Sequence, residues 1–349
     1  MKSAKLKKLI IFLALSVSAI FALTLIGCSV KAYESDGQIK QSSEVIMGSG
    51  SSFIYPAISR WSNEYYNQTG IKINYQPIGS GGGQRQIFSG MVNFAASDQP
   101  LSSDELSKYH LLQFPVIIGG IVPIVNIEGV ATNKLILSGK VMVEIYIGKI
   151  KYWNDPAIVA LNPKLKLPHN VIITVHRSDA SGTTYNFTRY LASIDSLWQN
   201  QIGVDTLVRW PIGVGAKGNQ GVASKVQQVS DSIGYVEYAY AKIADIPTVK
   251  LINQRGKTVS ADLNSFETAA KHASWQAKDN YNMLLNQPGK DSWPIVATTF
   301  VLLSQNANKC INQEIKQFFS FAYSHKGDKI AKKLDYVAIP QDLISEIKE

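Results

Sequence analysis

The sequence predicts an α/β protein folded as two lobes, and two of its features carry that prediction. From Glu44 onward, short apolar runs alternate with longer amphipathic ones, the order in which strands feed helices. Two apolar runs also lie far apart in the chain, Phe114 to Val125 and Trp293 to Ser304. The first contains Pro115, Gly119, Gly120 and Pro123, which suits a strand that bends as it crosses between lobes better than it suits a helix. With these runs as the crossings, residues 44–118 and 294–349 form one lobe and residues 119–293 the other.

A leader precedes the fold. Lys2, Lys5, Lys7 and Lys8 stand before a nearly continuous apolar run from Leu9 to Ile26, a charged n-region followed by an h-region. The run is also long enough to cross a bilayer, so Leu25-Ile26-Gly27-Cys28 is the informative part. This tetrapeptide resembles a bacterial lipobox, in which cleavage occurs before the Cys and its thiol takes up a diacylglycerol group; a chance cysteine at the end of an apolar helix is the plainer alternative. Residues 1–27 are therefore expected to be a lipoprotein signal peptide, Cys28 the lipidation site, and the polar residues 28–43 a linker.

The elements of the first lobe follow in order. Val45 to Met47 reads as a strand, Ile54 to Thr69 as a helix, Ile71 to Pro77 as a strand, Gly83 to Ser89 as a helix, and Phe94-Ala95-Ala96-Ser97 as a strand running into a loop. The second lobe has its own alternation, with a strand at Val171 to Val175 and a helix at Tyr185 to Ala192. No internal repeat is visible.

Composition narrows the function. The 349 residues carry a net charge of +9, and loss of the leader removes four lysines and no acid, leaving a milder excess. That excess suits anionic ligands, but it is spread along the chain rather than clustered as in nucleic-acid binders, so no nucleic-acid function is read here. His110, His169, His176, His272 and His325 show no metal-ligand spacing, and no metal or other cofactor is expected. With Cys28 committed to lipid, Cys310 is expected to lack a disulfide partner and to pack as a small hydrophobe.

Four short segments place Gly, Ser or Thr where a strand gives way to a helix. Such junctions expose unpaired N–H groups at the positive end of a helix dipole, which is an anion-binding arrangement. Gly48-Ser49-Gly50-Ser51-Ser52-Phe53 is the first; Ser52 can offer an N–H and a hydroxyl, although taken alone the segment reads more readily as a turn with a capping serine. Ile78-Gly79-Ser80-Gly81-Gly82-Gly83-Gln84 has more glycine than a turn needs, so it is either a close contact or a flexible loop.

Ala95-Ala96-Ser97-Asp98-Gln99-Pro100 puts a carboxylate among anion-attracting groups. That makes sense for a ligand bearing a proton, as hydrogen phosphate does and sulfate at neutral pH does not, while an ordinary helix cap is the alternative. The fourth segment is His176-Arg177-Ser178-Asp179-Ala180-Ser181-Gly182-Thr183-Thr184. Here Arg177 can grip two oxygens, Asp179 can hold the guanidinium, and Ser181, Gly182 and Thr183 supply donors; a surface ion pair before a capping turn is the other reading.

In order and spacing, Gly48 to Pro56, Ile78 to Gly83, Ala96 to Leu101 and Arg177 to Thr183 resemble the ligand segments of the periplasmic phosphate-binding proteins of the bacterial high-affinity phosphate transporter. Trp210-Pro211-Ile212-Gly213, Lys217-Gly218-Asn219, Ile233 to Ala241 and Trp293-Pro294-Ile295 are similar to further segments of that family, and the resemblance extends over nearly everything from Val45. It implies a two-lobe periplasmic-binding-protein fold of type II, each lobe a mixed sheet flanked by helices, with the ligand in the cleft between them. It also implies that Ser52, Phe53, Ser80, Arg177, Ser181, Gly182 and Thr183 donate to phosphate, that Asp98 accepts the ligand proton, and that Asp179 supports Arg177.

Where the family often has Thr after a small residue, this chain has Ser51-Ser52, which keeps the hydroxyl. The resemblance further implies a monomeric, non-enzymatic binding subunit in the periplasm, delivering inorganic phosphate to an ABC permease and its ATPase. The lipobox adds a membrane anchor. Rival readings are a binding protein for another oxyanion, and a lipoprotein hydrolase of phosphate esters using Ser52 or Ser181; the latter lacks a base tied to either serine. Tyr235, Tyr238 and Tyr240 read as core and lobe surface rather than as a stacking platform.

Overall fold

The computed structural model describes residues 45–273 and 284–340 together with Ile344. The leader, Cys28 and the linker lie outside the described residues. The strands are β1 (Ile46–Gly50), β2 (Ile73–Gln76), β3 (Phe94–Ser97), β4 (Leu111–Asn126), β5 (Ile136–Ser138), β6 (Ile173–Arg177), β7 (Val214–Ala216), β8 (Ser232–Glu237), β9 (Lys250–Ile252), β10 (Thr258–Val259) and β11 (Val296–Ser304). Eight of them form one mixed sheet in the order β2-β1-β3-β11-β4-β8-β6-β7, and β10-β9-β5 form a small second sheet.

The long apolar run is a single strand, β4, that changes partner midway. Leu111 to Gly120 pair antiparallel with β11, and Ile121 to Asn126 pair antiparallel with β8. Pro115, which cannot donate to a ladder, lies opposite Phe300 where the register slips between Thr299 and Phe300, so a bulge absorbs the proline. Nearly every residue of β4 and β11 is buried, which is why both read as continuous apolar runs instead of alternating ones. At the partner change, Trp293 Nε1 donates to the Ile121 carbonyl at 2.9 Å, tying the segment that enters β11 to the middle of β4.

The pairs β1–β2, β1–β3, β6–β7 and β6–β8 are parallel, so helices must carry the chain back between them. Helix Tyr55–Thr69 begins with Pro56 in its first turn, ends on Gly70 with φ of 74°, and buries Ala57, Ile58, Trp61 and Tyr65.

The next helix, Ser80–Phe88, starts three residues before the expected Gly83 and contains the glycine run. Each glycine in a helix costs up to about 1 kcal/mol, and tertiary packing explains the choice. A Cβ on Gly83 would stand 2.5 Å from the Gly50 Cα, and one on Gly81 would stand 2.6 Å from the Ala180 Cβ. The glycines let this helix lie against β1 on one side and the Arg177 turn on the other.

Cys310 departs from expectation. It sits half-buried in the first turn of helix Lys309–Ala322 and is disulfide-bonded, not an unpaired thiol packed in the core. That partly exposed position at a helix start leaves the sulfur open to oxidation in a way that a core position would not.

Candidate functional site

Because β1, β2 and β3 run parallel, their C-terminal ends share one edge of the sheet, the edge where α/β proteins bind ligands. Ser51-Ser52-Phe53 follows β1, Gly79-Ser80 follows β2 and Asp98 follows β3. Main-chain bonds lock these turns together: the Ser51 N–H donates to the Ala96 carbonyl and the Gly79 N–H to that of Gly50, both at 2.8 Å. Arg177 ends β6 in the other half of the sheet, and the turn after it delivers helix Gly182–Ile194 N-terminus first.

The two sets of turns meet directly. The Gly182 N–H donates to Ser80 Oγ at 3.1 Å, the Gly81 N–H to the Ala180 carbonyl at 3.1 Å, and Asn186 Nδ2 to the Asp98 carbonyl at 2.8 Å. Ser52, Phe53, Ser80, Asp98, Arg177, Ser181, Gly182 and Thr183 are all buried in this one cluster.

Its hydroxyls are arranged to donate. Ser52 Oγ accepts from Asn219 N at 3.1 Å and Nδ2 at 2.9 Å; Ser80 Oγ accepts from Asp98 N at 3.2 Å and Gly182 N at 3.1 Å. Thr183 Oγ1 accepts from Asn219 Nδ2 at 3.3 Å and, at the long distance of 3.4 Å, from Arg177 Nη1. A hydroxyl has a single proton beside its two lone pairs. With their lone pairs engaged, Ser52 and Thr183 are each left with a proton for which the described residues supply no acceptor, while the Ser80 proton faces the Asp98 carboxylate. Ser181 uses its N–H on the Thr206 carbonyl at 2.8 Å and caps the helix by accepting from Thr184 N at 3.1 Å, so its hydroxyl proton is likewise unassigned.

Arg177 is fully buried and is clamped in the plane of Asp179, Nε to Oδ1 at 2.7 Å and Nη2 to Oδ2 at 2.6 Å. This is the bidentate pairing that fixes a guanidinium while leaving protons on Nη1 and Nη2 for other acceptors. Burial alone would raise the Asp179 carboxyl, but the Arg177 bonds and the Gly218 N–H outweigh it and hold the group below the ordinary carboxylate range. Asp179 therefore neutralises the arginine, and any anion bound here is stabilised by aimed N–H and O–H dipoles more than by net charge.

Asp98 is 2 % exposed and, unlike Asp179, is a carboxylate among these donors that is not clamped on Arg177. Ser51 Oγ donates to its Oδ2 at 2.6 Å and Thr299 Oγ1 to its Oδ1 at 2.7 Å. Burial pushes its pKa up to about 6, against the opposing pull of the Ser51, Thr299 and Ser80 bonds and of the Arg177 charge. At neutral pH it remains an ionised acceptor at the centre of a ring of donors.

Several residues of the site were not singled out in the sequence. Asn219 heads helix Gly218–Gln228 and bridges Ser52 to Thr183. Thr299 comes from the second crossing strand. Tyr75, Tyr240 and Tyr336 donate to three successive carbonyls, Ser51 at 2.8 Å, Ser52 at 2.7 Å and Phe53 at 2.5 Å, and so fix the turn that carries Ser52. Tyr235 is core as expected, stacked on Phe187 with ring centroids 4.1 Å apart, whereas Tyr240 is part of the site's frame. Among the described residues no histidine bonds Ser52 or Ser181, and no group of acids, histidines and cysteines is placed to hold a metal ion.

A family model described as the PBP superfamily domain matches residues 34–326. The phosphate-binding protein PstS of Haemophilus influenzae is 50% identical over 305 residues, covering 87% of this chain and 91% of its own. This chain belongs to the PstS family of the PBP superfamily. Among solved structures similar to it, the phosphate-binding protein PfluDING has a TM-score of 0.70 at 21% identity, covering 87% of this chain and 93% of its own. An ABC-type phosphate transport receptor from Vibrio cholerae has a TM-score of 0.53 at 16% identity, covering 84% and 100%. At such identities the likeness speaks for the fold, and this PstS-family chain has the type II periplasmic-binding-protein fold that its motifs suggested.

Proposed function

We propose that this chain binds inorganic phosphate, as hydrogen phosphate, and delivers it to an ABC-type importer. The observation that carries the reading is the buried carboxylate of Asp98 within a shell of hydroxyl and N–H donors. A fully deprotonated oxyanion meets repulsion at Asp98 with no compensating bond, whereas hydrogen phosphate donates its proton there. In this reading Ser52, Phe53, Ser80, Ser181, Gly182 and Thr183 donate to the phosphate oxygens, Arg177 pairs with two of them, and Asp179 holds Arg177 in its plane. The relatives named phosphate-binding protein PstS support the same assignment.

The segments 44–118 with 294–349 and 119–293 act as the two lobes, closing on the ligand about the crossing strands β4 and β11. The chain works as a monomer in the periplasm and presents its closed form to the permease and ATPase; with two cysteines in the sequence, a tether through an acylated Cys28 and the Cys310 disulfide exclude each other within one chain. A cysteine acylated at Sγ is closed to disulfide chemistry, so the intact mass of the mature N-terminus decides whether the anchor exists. Hydrolysis is not part of the reading, because Ser52 and Ser181 have amide partners in place of a general base.

Titration calorimetry with phosphate and with sulfate tests the reading. Phosphate is expected to bind at micromolar levels or tighter and sulfate to give no heat. In Asp98→Asn the amide can donate to sulfate, and the preference for phosphate is expected to fall by about tenfold or more. Sulfate or molybdate binding as well as phosphate would assign the site to another oxyanion, and turnover of phosphate esters lost in Ser181→Ala would make it a hydrolase.

A further inference from the structure

Ser51 has no part in the binding scheme above, yet its buried hydroxyl lies between two groups that the scheme assigns to the ligand. Its Oγ donates to Asp98 Oδ2 at 2.6 Å and accepts from the Phe53 N–H at 2.9 Å. A carboxylate only accepts, so the Ser51 proton is committed to Asp98. The hydroxyl thus offers Asp98 and Phe53 the same donor-and-acceptor pairing that a P–O–H group would offer them. Asp98 Oδ1 already accepts from Thr299 and Oδ2 from Ser51, so a ligand proton has to share one of these oxygens with a protein hydroxyl, and on Oδ2 the competitor is Ser51. A second bond to that oxygen is weaker than a first, and the single Phe53 proton has to be divided or released.

We propose that Ser51 is a specificity-determining residue that competes with hydrogen phosphate for Asp98 and Phe53, setting both the affinity and the lower pH limit of binding. The inference rests on the phosphate reading and deepens it. Two separate consequences follow from the one hydroxyl. First, every phosphate that binds has to weaken or displace the Ser51 bonds, so the parent protein binds less tightly than its donor set allows.

Second, the Ser51 bond stabilises the ionised form of Asp98, which is the form able to accept the ligand proton. Removing that bond raises the pH at which Asp98 loses its acceptor function, and the acid limb of phosphate binding moves up with it. The other titratable groups facing Asp98 are unchanged by this substitution: Arg177 from β6, Tyr75 from β2, Glu237 from β8, Tyr240 from helix Tyr238–Ile243, and Tyr336.

The test is calorimetric titration of inorganic phosphate into the parent protein, Ser51→Ala and Ser51→Thr from pH 4.5 to pH 8, pH values chosen to span about two units either side of a carboxyl near neutrality. Ser51→Ala is expected to bind phosphate about three- to tenfold more tightly at pH 8, the size of one competing hydrogen bond, and to show its acid limb at higher pH than the parent. Ser51→Thr keeps the hydroxyl and is expected to restore both quantities. Parent-like constants and limb in Ser51→Ala overturn the inference while leaving the phosphate reading intact. Weaker binding in Ser51→Ala also overturns it, because Ser51 would then be a ligand donor. Absence of phosphate binding in all three proteins removes the functional reading and the inference together.

Discussion

Asn219 donates to the Ser52 hydroxyl twice, from its main-chain N–H at 3.1 Å and from Nδ2 at 2.9 Å, and so leaves that hydroxyl nothing to do but donate. The same Nδ2 reaches Thr183 Oγ1 at 3.3 Å, and Oδ1 accepts from the Glu237 N–H at 3.0 Å. One amide therefore orients hydroxyls from both halves of the site. Asn219→Ala frees both to rotate and strands a buried N–H on Glu237. Phosphate affinity is expected to fall about 10- to 100-fold by calorimetry, with a stability loss of about 1–3 kcal/mol in denaturant unfolding. Asn219→Asp, which cannot donate through its side chain and adds a negative charge, is expected to lose more affinity than the alanine variant.

The raised pKa of Asp98 carries a stability signature with a definite sign. The carboxyl moves from an ordinary 3.8 to about 6 on folding, so the folded protein holds this proton more tightly than the unfolded chain. The resulting stabilisation is fully present below the ordinary value and is lost as pH rises through about 6. At neutral pH the ionised group weakens the phosphate-free fold by on the order of 3 kcal/mol. Asp98→Asn removes the titration. Its melting temperature without phosphate is expected to exceed that of the parent at pH 7.5, with the advantage disappearing as the pH approaches 4; an advantage independent of pH would contradict the assignment.

What the sequence disclosed and what it withheld separate along physical lines. The strands and helices bearing Ser52, Asp98 and Arg177 were legible because apolar periodicity and the Gly, Ser and Asp junctions are local signals. The helix start at Ser80 was not legible, because a run of three glycines carries no local helical preference and only the closeness of Gly50 and Ala180 selects the helix. Thr299 was hidden within a mostly apolar run, and its tie to Asp98 spans 201 positions of sequence. Asn219 and the three tyrosines that hold the Ser52 turn act through pairings that only the folded chain creates. Ser51 was visible as a hydroxyl where a smaller residue is usual, but its hold on Asp98 and Phe53 was not.

Glu237 is a second buried carboxyl, and its proton can be placed by inventory. Tyr336 Oη contacts the Phe53 carbonyl at 2.5 Å and Glu237 Oε2 at 2.8 Å. The carbonyl only accepts, so the tyrosine proton goes there, and the contact to Glu237 needs a proton from the carboxyl. Burial agrees, raising this carboxyl well above its ordinary range, and Oε1 has no partner, as suits a neutral acid better than an anion. A raised carboxyl loses its stabilisation as pH rises through the folded value, here on the alkaline side of an ordinary carboxylate. Glu237→Gln cannot titrate. It is expected to melt below the parent near pH 6, where the Tyr336 and Ala239 bonds are best made by the acid, and to close that gap as pH rises; a gap that widens with pH would show that Glu237 is an anion.

Gly182 separates folding from ligand capture. A Cβ at this position would stand 2.4 Å from Ser80 Oγ, 2.6 Å from Asp98 Cβ and 2.7 Å from Asp98 Oδ2, all of them on turns from the other half of the sheet. Its own backbone opens an ordinary right-handed helix, so alanine is accepted locally and even favours the helix. The penalty falls only where the two sets of turns meet, and crowding of this kind costs about 1–3 kcal/mol. Gly182→Ala is therefore expected to keep a melting temperature near that of the parent without phosphate while binding phosphate about 5- to 150-fold more weakly. Solution scattering supplies the independent readout. If closing the lobes brings Gly182 onto Ser80 and Asp98, phosphate should contract the parent protein and leave the variant's radius of gyration unchanged, whereas equal contraction in both would mean that these contacts form before the ligand arrives.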